Sequence, residues 1–430
     1  MTEPRPGGAP ARTVRFCMIT TFYPPFNFGG DGIGIQHLAR GLARRGHHVT
    51  VVHDIDAYRA LGGEAASSPE DGSDGIERIG LQSGAARFSS LVTQQTGRPL
   101  VHWRSLQRVV DGGRFDVINY HNVSLVGGPG VLSLGDAVKV YMAHEHWLVC
   151  PTHVLWRHRR EPCPGRQCIR CTLRYRRPPQ VWRYTGYLER QLKHIDSFIA
   201  MSEFSRDKHR EFGFPREMEV VPYLLPDEEP DASEPPDELP SPAARPFFLF
   251  VGRLERIKGL DDVIPLFRER DGADLVIAGA GEHEGTLRQL AGGSPRIRFV
   301  GRLSPDELRG YYRHALALVM PSVCYETFGI TLIEAFRQSL PVIARRIGPL
   351  PEIVAQSAGG GEVFGSATEL EAVLDRLEGD PELRATMGRA ARNAFVERWT
   401  EGVVIPRYLD VVARAAESRG RREVAEAVAA

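Results

Sequence analysis

The chain has 430 residues, of which 42% are hydrophobic and 25% charged, and its 54 basic and 54 acidic side chains cancel. That length carries two domains with full cores, while zero net charge gives no bulk attraction to nucleic acid, so no nucleic-acid partner is expected and any electrostatic argument is local. Residues 1–13 are polar and rich in Pro and Gly, and nothing later approaches the ~18 apolar residues of a membrane span, so a disordered tail on a soluble, cytoplasmic protein is expected.

Residues 14–20, VRFCMIT, read as a buried parallel strand, followed by the loop FYPPFNFGGDGIG, a helix from about Ile35 to Arg45, and a second strand over 48–53. Strand, glycine loop, helix and strand open a doubly wound domain, whose ligands sit outside the carboxyl ends of its strands. Gly29 and Gly30 in the loop suit a close backbone approach to a ligand, and a tight turn would explain them equally. Residues 56–80 are polar and rich in Gly and Ser, which predicts a loop. FDVINYHNV, AVKVYMAHEH and SFIAMS supply further strands, and the first domain spans 14–225. Residues 226–246 hold seven acids, many prolines and no base before Arg245, the composition of a solvated linker. The second domain spans 247–395, with strands FFLFVG, DLVIAGAG, RIRFVG, ALALVMPS and PVIARR, each followed by a helical pattern. Residues 396–430, with Trp399 and Tyr408, form a last helix and tail.

An insert at about 147–183 interrupts the first domain. Cys150, Cys163, Cys168 and Cys171 are separated by twelve, four and two residues, and the closing Cys-x-x-Cys has the bite of a metal knuckle. Four soft thiolates without a secretory signal point first to structural zinc, then to reduced unliganded thiols, with an iron–sulfur cluster as a further option. The insert also carries nine arginines against one acid, Glu161, with Trp156, Tyr175 and Trp182 between them. An anionic or lipid-linked acceptor, or peripheral contact with a membrane surface, would use such a patch; a solvated surface that balances the acidic linker would also account for it.

Two stretches carry the chemistry. PSVCYETFGITLIEAFRQSLP, residues 321–341, places Glu326 in a loop, Phe328-Gly329 before a helix that opens near Ile330, and Glu334 inside that helix. A helix start offers unpaired N–H groups and a positive dipole end to an anion, and a carboxylate can accept from two hydroxyls of a polyol. FVGRLERIKG, residues 250–259, is a short strand whose exit loop brings Arg253 and Lys258, cations that can neutralise a diphosphate. A surface turn would explain either loop taken alone.

Together with IAMSEFSRDKHREFGFP (199–215), FVGRLSPDEL (299–308) and GPLPEIV (348–354), these motifs resemble the retaining glycosyltransferases of family 4 over most of the chain. The resemblance implies a GT-B α/β fold: two Rossmann-like doubly wound domains facing across a cleft, the first with the Cys/Arg-rich insert and the terminal helix crossing back onto it. It implies a nucleotide diphosphate sugar as donor, bound by Gly29, Gly30, Arg253, Lys258, Glu326, Phe328, Gly329, Ile330 and Glu334. Glu326 would contact the donor sugar, Glu334 the ribose, and Arg253 and Lys258 the diphosphate, with no catalytic metal. In HEHWLVCP, His144 best matches the family's histidine near the donor sugar, with His146 second; a packed or metal-binding histidine is the other reading. Glu326, His144, Arg253 and Lys258 are thus the catalytic candidates. The family's usual Asn-Gly turn after the first domain is replaced here by Tyr223-Leu224. The acceptor is a hydroxyl of unknown identity, and the alternatives are a non-catalytic scaffold of the same fold or a related epimerase or phosphorylase.

Overall fold

The computed structural model describes residues 12–63, 74–227 and 242–429, so most of the expected tail and of the acidic linker lies outside the described residues. The strands of the first half are β1 (Arg15–Ile19), β2 (His48–Asp54), β3 (Ile76–Leu81), β4 (Val117–Tyr120), β5 (Val138–Ala143), a short hairpin β6 (Trp156–Arg157) and β7 (Glu161–Pro162), then β8 (Ser197–Ala200) and β9 (Glu219–Val220). Those of the second half are β10 (Phe247–Val251), β11 (Asp274–Ala278), β12 (Ile297–Gly301), β13 (Leu318–Met320), β14 (Val342–Arg345) and β15 (Gly361–Phe364).

Apart from the hairpin they form two wholly parallel sheets, ordered β3-β2-β1-β4-β5-β8-β9 and β12-β11-β10-β13-β14-β15. FFLFV is apolar throughout, and VKVYMA is buried at every position with Lys139 as its one charge, because helices cover both faces of a parallel sheet. In each sheet the order reverses beside the first strand, between β1 and β4 and between β10 and β13. Crossover connections leave opposite sides of the sheet there, which opens a crevice at the strand ends. This is the GT-B architecture.

Three elements differ from the sequence reading. The first helix runs Gly30–Arg44, so Gly30, Gly32 and Gly34 are helical rather than part of the loop. Glycine is a poor helix former, but packing overrides the propensity here. A Cβ on Gly34 would stand 2.2 Å from the Tyr223 ring, and one on Gly41 2.1 Å from Ile405 Cδ1. The expected loop at 56–80 begins and ends in regular structure. Asp54 caps a helix over Ile55–Ala60 by accepting from the Ala57 amide at 2.9 Å. Past the undescribed stretch, β3 pairs with β2 and buries Ile76 and Leu81. The second sheet has a sixth strand, β15, hidden from the sequence because GEVF is short and flanked by glycine.

The helix Glu401–Ser418 lies against β5 and the Gly30–Arg44 helix of the first domain. Tyr408 Oη accepts from Asn119 Nδ2 at 3.0 Å under the first sheet, while Trp399 stacks on Phe336 of the second domain with ring centroids 5.6 Å apart. One apolar cluster therefore runs through both domains, joined there by the start of this last helix. Among the described residues no helix is long and apolar enough to cross a membrane.

Candidate active site

Topology brings the two motif stretches together. The loop after β10 carries Arg253 and Lys258; the loop after β13 carries Glu326 and Gly329; and β10 and β13 are neighbours at the reversal point of the second sheet. The loops are tied by the Val323 amide donating to Ile257 O at 2.9 Å. Gly259 makes this possible: it has φ +74°, and a Cβ there would lie 2.0 Å from Pro321 O. Gly329, at φ +102°, turns the chain into the helix Ile330–Arg337. The helix thus opens toward the crevice, with its first amides unpaired within the helix and the positive end of its dipole forward.

The charges at this junction are paired. Lys258 Nζ donates to Glu326 Oε1 at 2.7 Å, and Ser322 Oγ donates to the same oxygen at 2.8 Å. The two side chains are 17% and 18% exposed. Burial alone would raise the Glu326 pKa, but Lys258 and Ser322 outweigh it and hold the carboxyl below its ordinary value. Burial would likewise lower Lys258, and Glu326 reverses that, so the ammonium sits above its ordinary value. Both groups are charged at neutral pH. Arg253 is half-exposed and pairs with Glu255 at 2.6 Å. Glu334, in the Ile330–Arg337 helix, is half-buried and its Oε2 accepts from Tyr312 Oη at 2.7 Å, which fixes the carboxylate's direction. Phe328 is buried and packs edge-on against Tyr223 at 5.6 Å, an interdomain contact.

The first domain supplies the opposite wall. Gly30 opens its helix beside Ile330: a Cβ on Gly30 would stand 3.1 Å from Ile330 Cγ2. Gly29 precedes it in extended backbone. Asp31, next in line, accepts from Asn122 Nδ2 at 3.5 Å. Burial first, and then the charge of Glu145, raise its pKa against the Gly32 amide, Asn122 and Arg253. His144, at the end of β5, is 7% exposed and belongs to a buried chain. Its Nε2 is 2.8 Å from His121 Nδ1, its Nδ1 is 2.6 Å from Tyr223 Oη, and its carbonyl accepts from Thr327 Oγ1 of the second domain at 2.9 Å. Burial lowers the His144 pKa to about 3, so the ring is neutral. His146 points elsewhere, stacked on His209 with centroids 5.3 Å apart, so of the two histidines only His144 joins the cleft network.

Glu326, Lys258, Gly329, Ile330 and Phe328 thus gather at one junction, with Gly29, Gly30 and His144 facing them and Glu334 one helical turn behind. The four cysteines lie apart, in the insert. Sequence reasoning missed Asp31, His121, Glu145 and Tyr223. Asp31 was legible as the acid directly after the glycine pair, and Glu145 as the acid between two histidines already singled out. Tyr223 carried no signal beyond departing from the expected turn: it fills the groove left by Gly34, holds His144 and meets Phe328. A second family of contacts fixes the domains on each other: Glu352 accepts from the Glu203 and Phe204 amides at 3.0 Å each, and Ser202 Oγ donates to Thr327 O at 2.7 Å.

Comparison with known proteins bears on the family and the fold. The model of Glycosyltransferase Family 4 matches residues 28–229, and that of Glycosyl transferases group 1 matches 231–394. An uncharacterised glycosyltransferase of Methanocaldococcus jannaschii is 33% identical over 180 residues, 40% of this chain and 46% of the relative. The glycogen synthase of Mycobacterium tuberculosis is 28% identical over 408 residues, 88% of this chain and 89% of the relative. A GDP-mannose-dependent alpha-(1-6)-phosphatidylinositol monomannoside mannosyltransferase of M. tuberculosis is 35% identical over 172 residues, 36% of this chain and 44% of the relative. The matched stretch therefore spans about half the length of the archaeal protein and of the mannosyltransferase. Among solved structures, the sucrose-phosphate synthase of Thermosynechococcus elongatus superposes with a TM-score of 0.68 at 19% identity, covering 95% of this chain and 98% of that one. Anabaena HepE in complex with UDP and glucose gives 0.62 at 16%, covering 95% and 99%.

Proposed function

The chain belongs to glycosyltransferase family 4, and from that membership we propose that it moves a sugar from a nucleoside diphosphate sugar to an acceptor hydroxyl with retention of anomeric configuration. The observation that carries the reading is the Lys258–Glu326 pair, buried where the two motif loops meet and facing the opening of the Ile330–Arg337 helix. The donor diphosphate lies at that helix start, with Arg253 and Lys258 beside it. These charges stabilise the leaving diphosphate as the glycosidic bond breaks, and they do so without a divalent cation. Lys258 and Ser322 both donate to Oε1 of Glu326, which turns Oε2 toward a sugar hydroxyl. Glu334, held by Tyr312, accepts from the ribose hydroxyls. The neutral His144 offers its chain of hydrogen bonds to the sugar side of the cleft, and Asp31 and Asn122 meet the acceptor.

No described side chain is assigned as a nucleophile on the donor sugar, and the reading is a front-face substitution: the acceptor oxygen attacks from the side the diphosphate leaves, and a donor phosphate oxygen takes the acceptor proton. Anabaena HepE is known in complex with UDP-glucose and the mannosyltransferase relative is GDP-mannose-dependent, which makes these two sugar nucleotides the first donors to try.

The acceptor reading is an anionic or lipid-linked molecule met at a membrane surface. Nine of the eleven large exposed apolar side chains among the described residues lie between Phe88 and Tyr184, all in the first domain. Several of them border the insert: Trp182 Nε1 donates to Gln94 O at 2.9 Å, joining the helix Ala86–Thr96, with exposed Phe88 and Leu91, to exposed Val181 and Tyr184. Apolar side chains amid arginines suit the boundary of an anionic bilayer.

The test is Lys258→Ala, which should lower kcat/KM more than tenfold, at least about 1.4 kcal/mol of transition-state stabilisation. A rate within twofold of wild type would remove Lys258 from the site.

A further inference from the structure

The insert poses a question that sugar transfer does not answer. It has little secondary structure of its own: the two-residue strands β6 and β7, the helix Cys168–Arg174 and a 3-10 turn at Val181–Tyr184. It is also costly in backbone terms. Of the eight non-glycine residues with positive φ among the described residues, five lie here: His153, Leu155, His158, Arg159 and Arg176. Each left-handed residue without glycine costs on the order of 1 kcal/mol. A small module in this state needs a constraint beyond its core.

The cysteines are placed to supply one. Cys150 sits in the turn after β5, Cys163 directly follows β7, and Cys168 and Cys171 lie one turn apart at the start of the helix. All four line a single cavity, with the guanidinium-bearing Arg157 and Arg166 also in its wall. None is in a disulfide. The polar groups around the thiols suit sulfur ligands: the His158 amide donates to Cys171 Sγ at 3.3 Å, and Thr152 Oγ1 is 3.3 Å from Cys150 Sγ. Amide and hydroxyl donors of this kind stabilise metal thiolates from outside. Arg183, its guanidinium 5.1 and 4.6 Å from the Trp147 and Trp182 rings, adds positive charge on the same side of the insert, where four thiolates around a dication would leave an excess of negative charge.

We propose that Cys150, Cys163, Cys168 and Cys171 bind one structural Zn2+. The sulfurs stand wider than the ~3.8 Å edges of a tetrathiolate zinc site with 2.3 Å bonds: among the described residues no three of them lie within 4.8 Å of one another. Binding therefore draws the hairpin and the helix start inward onto Cys150. The consequence reaches the cleft. The His153 amide donates to Cys150 O at 3.1 Å, and the His153 ring is 2.8 Å from Glu145 Oε2, so the ion fixes the turn that positions Glu145 beside Asp31.

The experiment is elemental analysis of the full chain, purified without chelator under reducing conditions, combined with titration by p-hydroxymercuribenzoate. The expected result is about one zinc per chain and no visible absorption, with the zinc released to a chromogenic chelator in step with modification of four thiols. Cys168→Ser should lose the zinc and several degrees of Tm. Metal-free wild-type protein, iron with absorption near 400 nm, or a Cys168→Ser protein that keeps its full zinc would each overturn the proposal. The mercurial titration uses only wild-type chain, so the answer stands even where the variant fails to fold, and it is independent of whether sugar transfer is observed.

Discussion

At the scale of single residues, burial divides the titrating groups into two kinds. Glu326 and Lys258 hold each other ionised, Glu326 shifted down and Lys258 up. The depressed carboxyl contributes stability above its unfolded pKa, and that contribution is lost only as pH falls through the lower folded value. The raised ammonium contributes below its unfolded pKa and loses that only as pH rises through the higher folded value. The pair is therefore silent across neutral pH. The histidines behave otherwise. Burial lowers His144 and His37 to about 3 and His53 and His209 to about 4. Their unfolded counterparts titrate near ~6.5, so between these values the unfolded chain binds more protons and stability rises with pH. Denaturant unfolding at pH 7 and pH 5 should show a loss of at least about 2 kcal/mol on the acid side, the share of one such histidine. Equal stability at the two pH values would mean that these rings are hydrated rather than enclosed. The same neutrality predicts that kcat carries no limb from His144 between pH 5 and 8.

At the scale of elements, the reading from sequence was best where hydrophobic runs and motif loops coincided and worst where packing overruled propensity. VRFCMIT, FFLFVG and DLVIAGAG are apolar enough to announce buried parallel strands, and Gly329 announces the turn into its helix. The glycines of Gly30–Arg44 announced a loop instead, since nothing local reveals that Tyr223 and Ile405 fill the grooves they leave. The helix Ile55–Ala60 is a single short turn-and-a-half set by one cap, below what periodicity can register. The insert is the element whose surface is most directly testable. With Ile169 and Leu173 exposed at 50% and 57% on the arginine-bearing helix Cys168–Arg174, the chain should co-sediment with vesicles containing phosphatidylserine or phosphatidylglycerol, and less so with phosphatidylcholine alone. Binding should weaken from 50 to 500 mM salt as the arginine contribution is screened. Equal retention on neutral and anionic vesicles, or none on either, would contradict the membrane-facing reading of the insert.

At the scale of the molecule, both sheets present their reversal points to one cleft, and the adjacency of β10 and β13 at the second of these brings Lys258 and Glu326, 68 residues apart, onto one ion pair. The convergence was legible because each motif follows an apolar strand. The interdomain contacts were not: Thr327 with His144, Glu352 with the start of the helix Glu203–Glu211, and Tyr223 with Phe328 join residues whose partners lie over 100 positions away and follow no local pattern. Under the proposed function these contacts also make donor binding a whole-molecule property, since the helix start proposed to receive the diphosphate abuts Gly30 of the other domain. The most direct test is the thermal shift of the full chain with UDP, GDP, ADP and dTDP and their sugar conjugates, repeated on Lys258→Ala and Glu334→Ala. One base should shift wild-type Tm by several degrees, since a ligand at a hundred times its Kd adds about 2.7 kcal/mol, and both variants, folded but for the lost side chain, should lose most of that shift. A folded wild-type chain that responds to no nucleotide, or variants that respond as fully as wild type, would contradict the assignment of this cleft as the donor site.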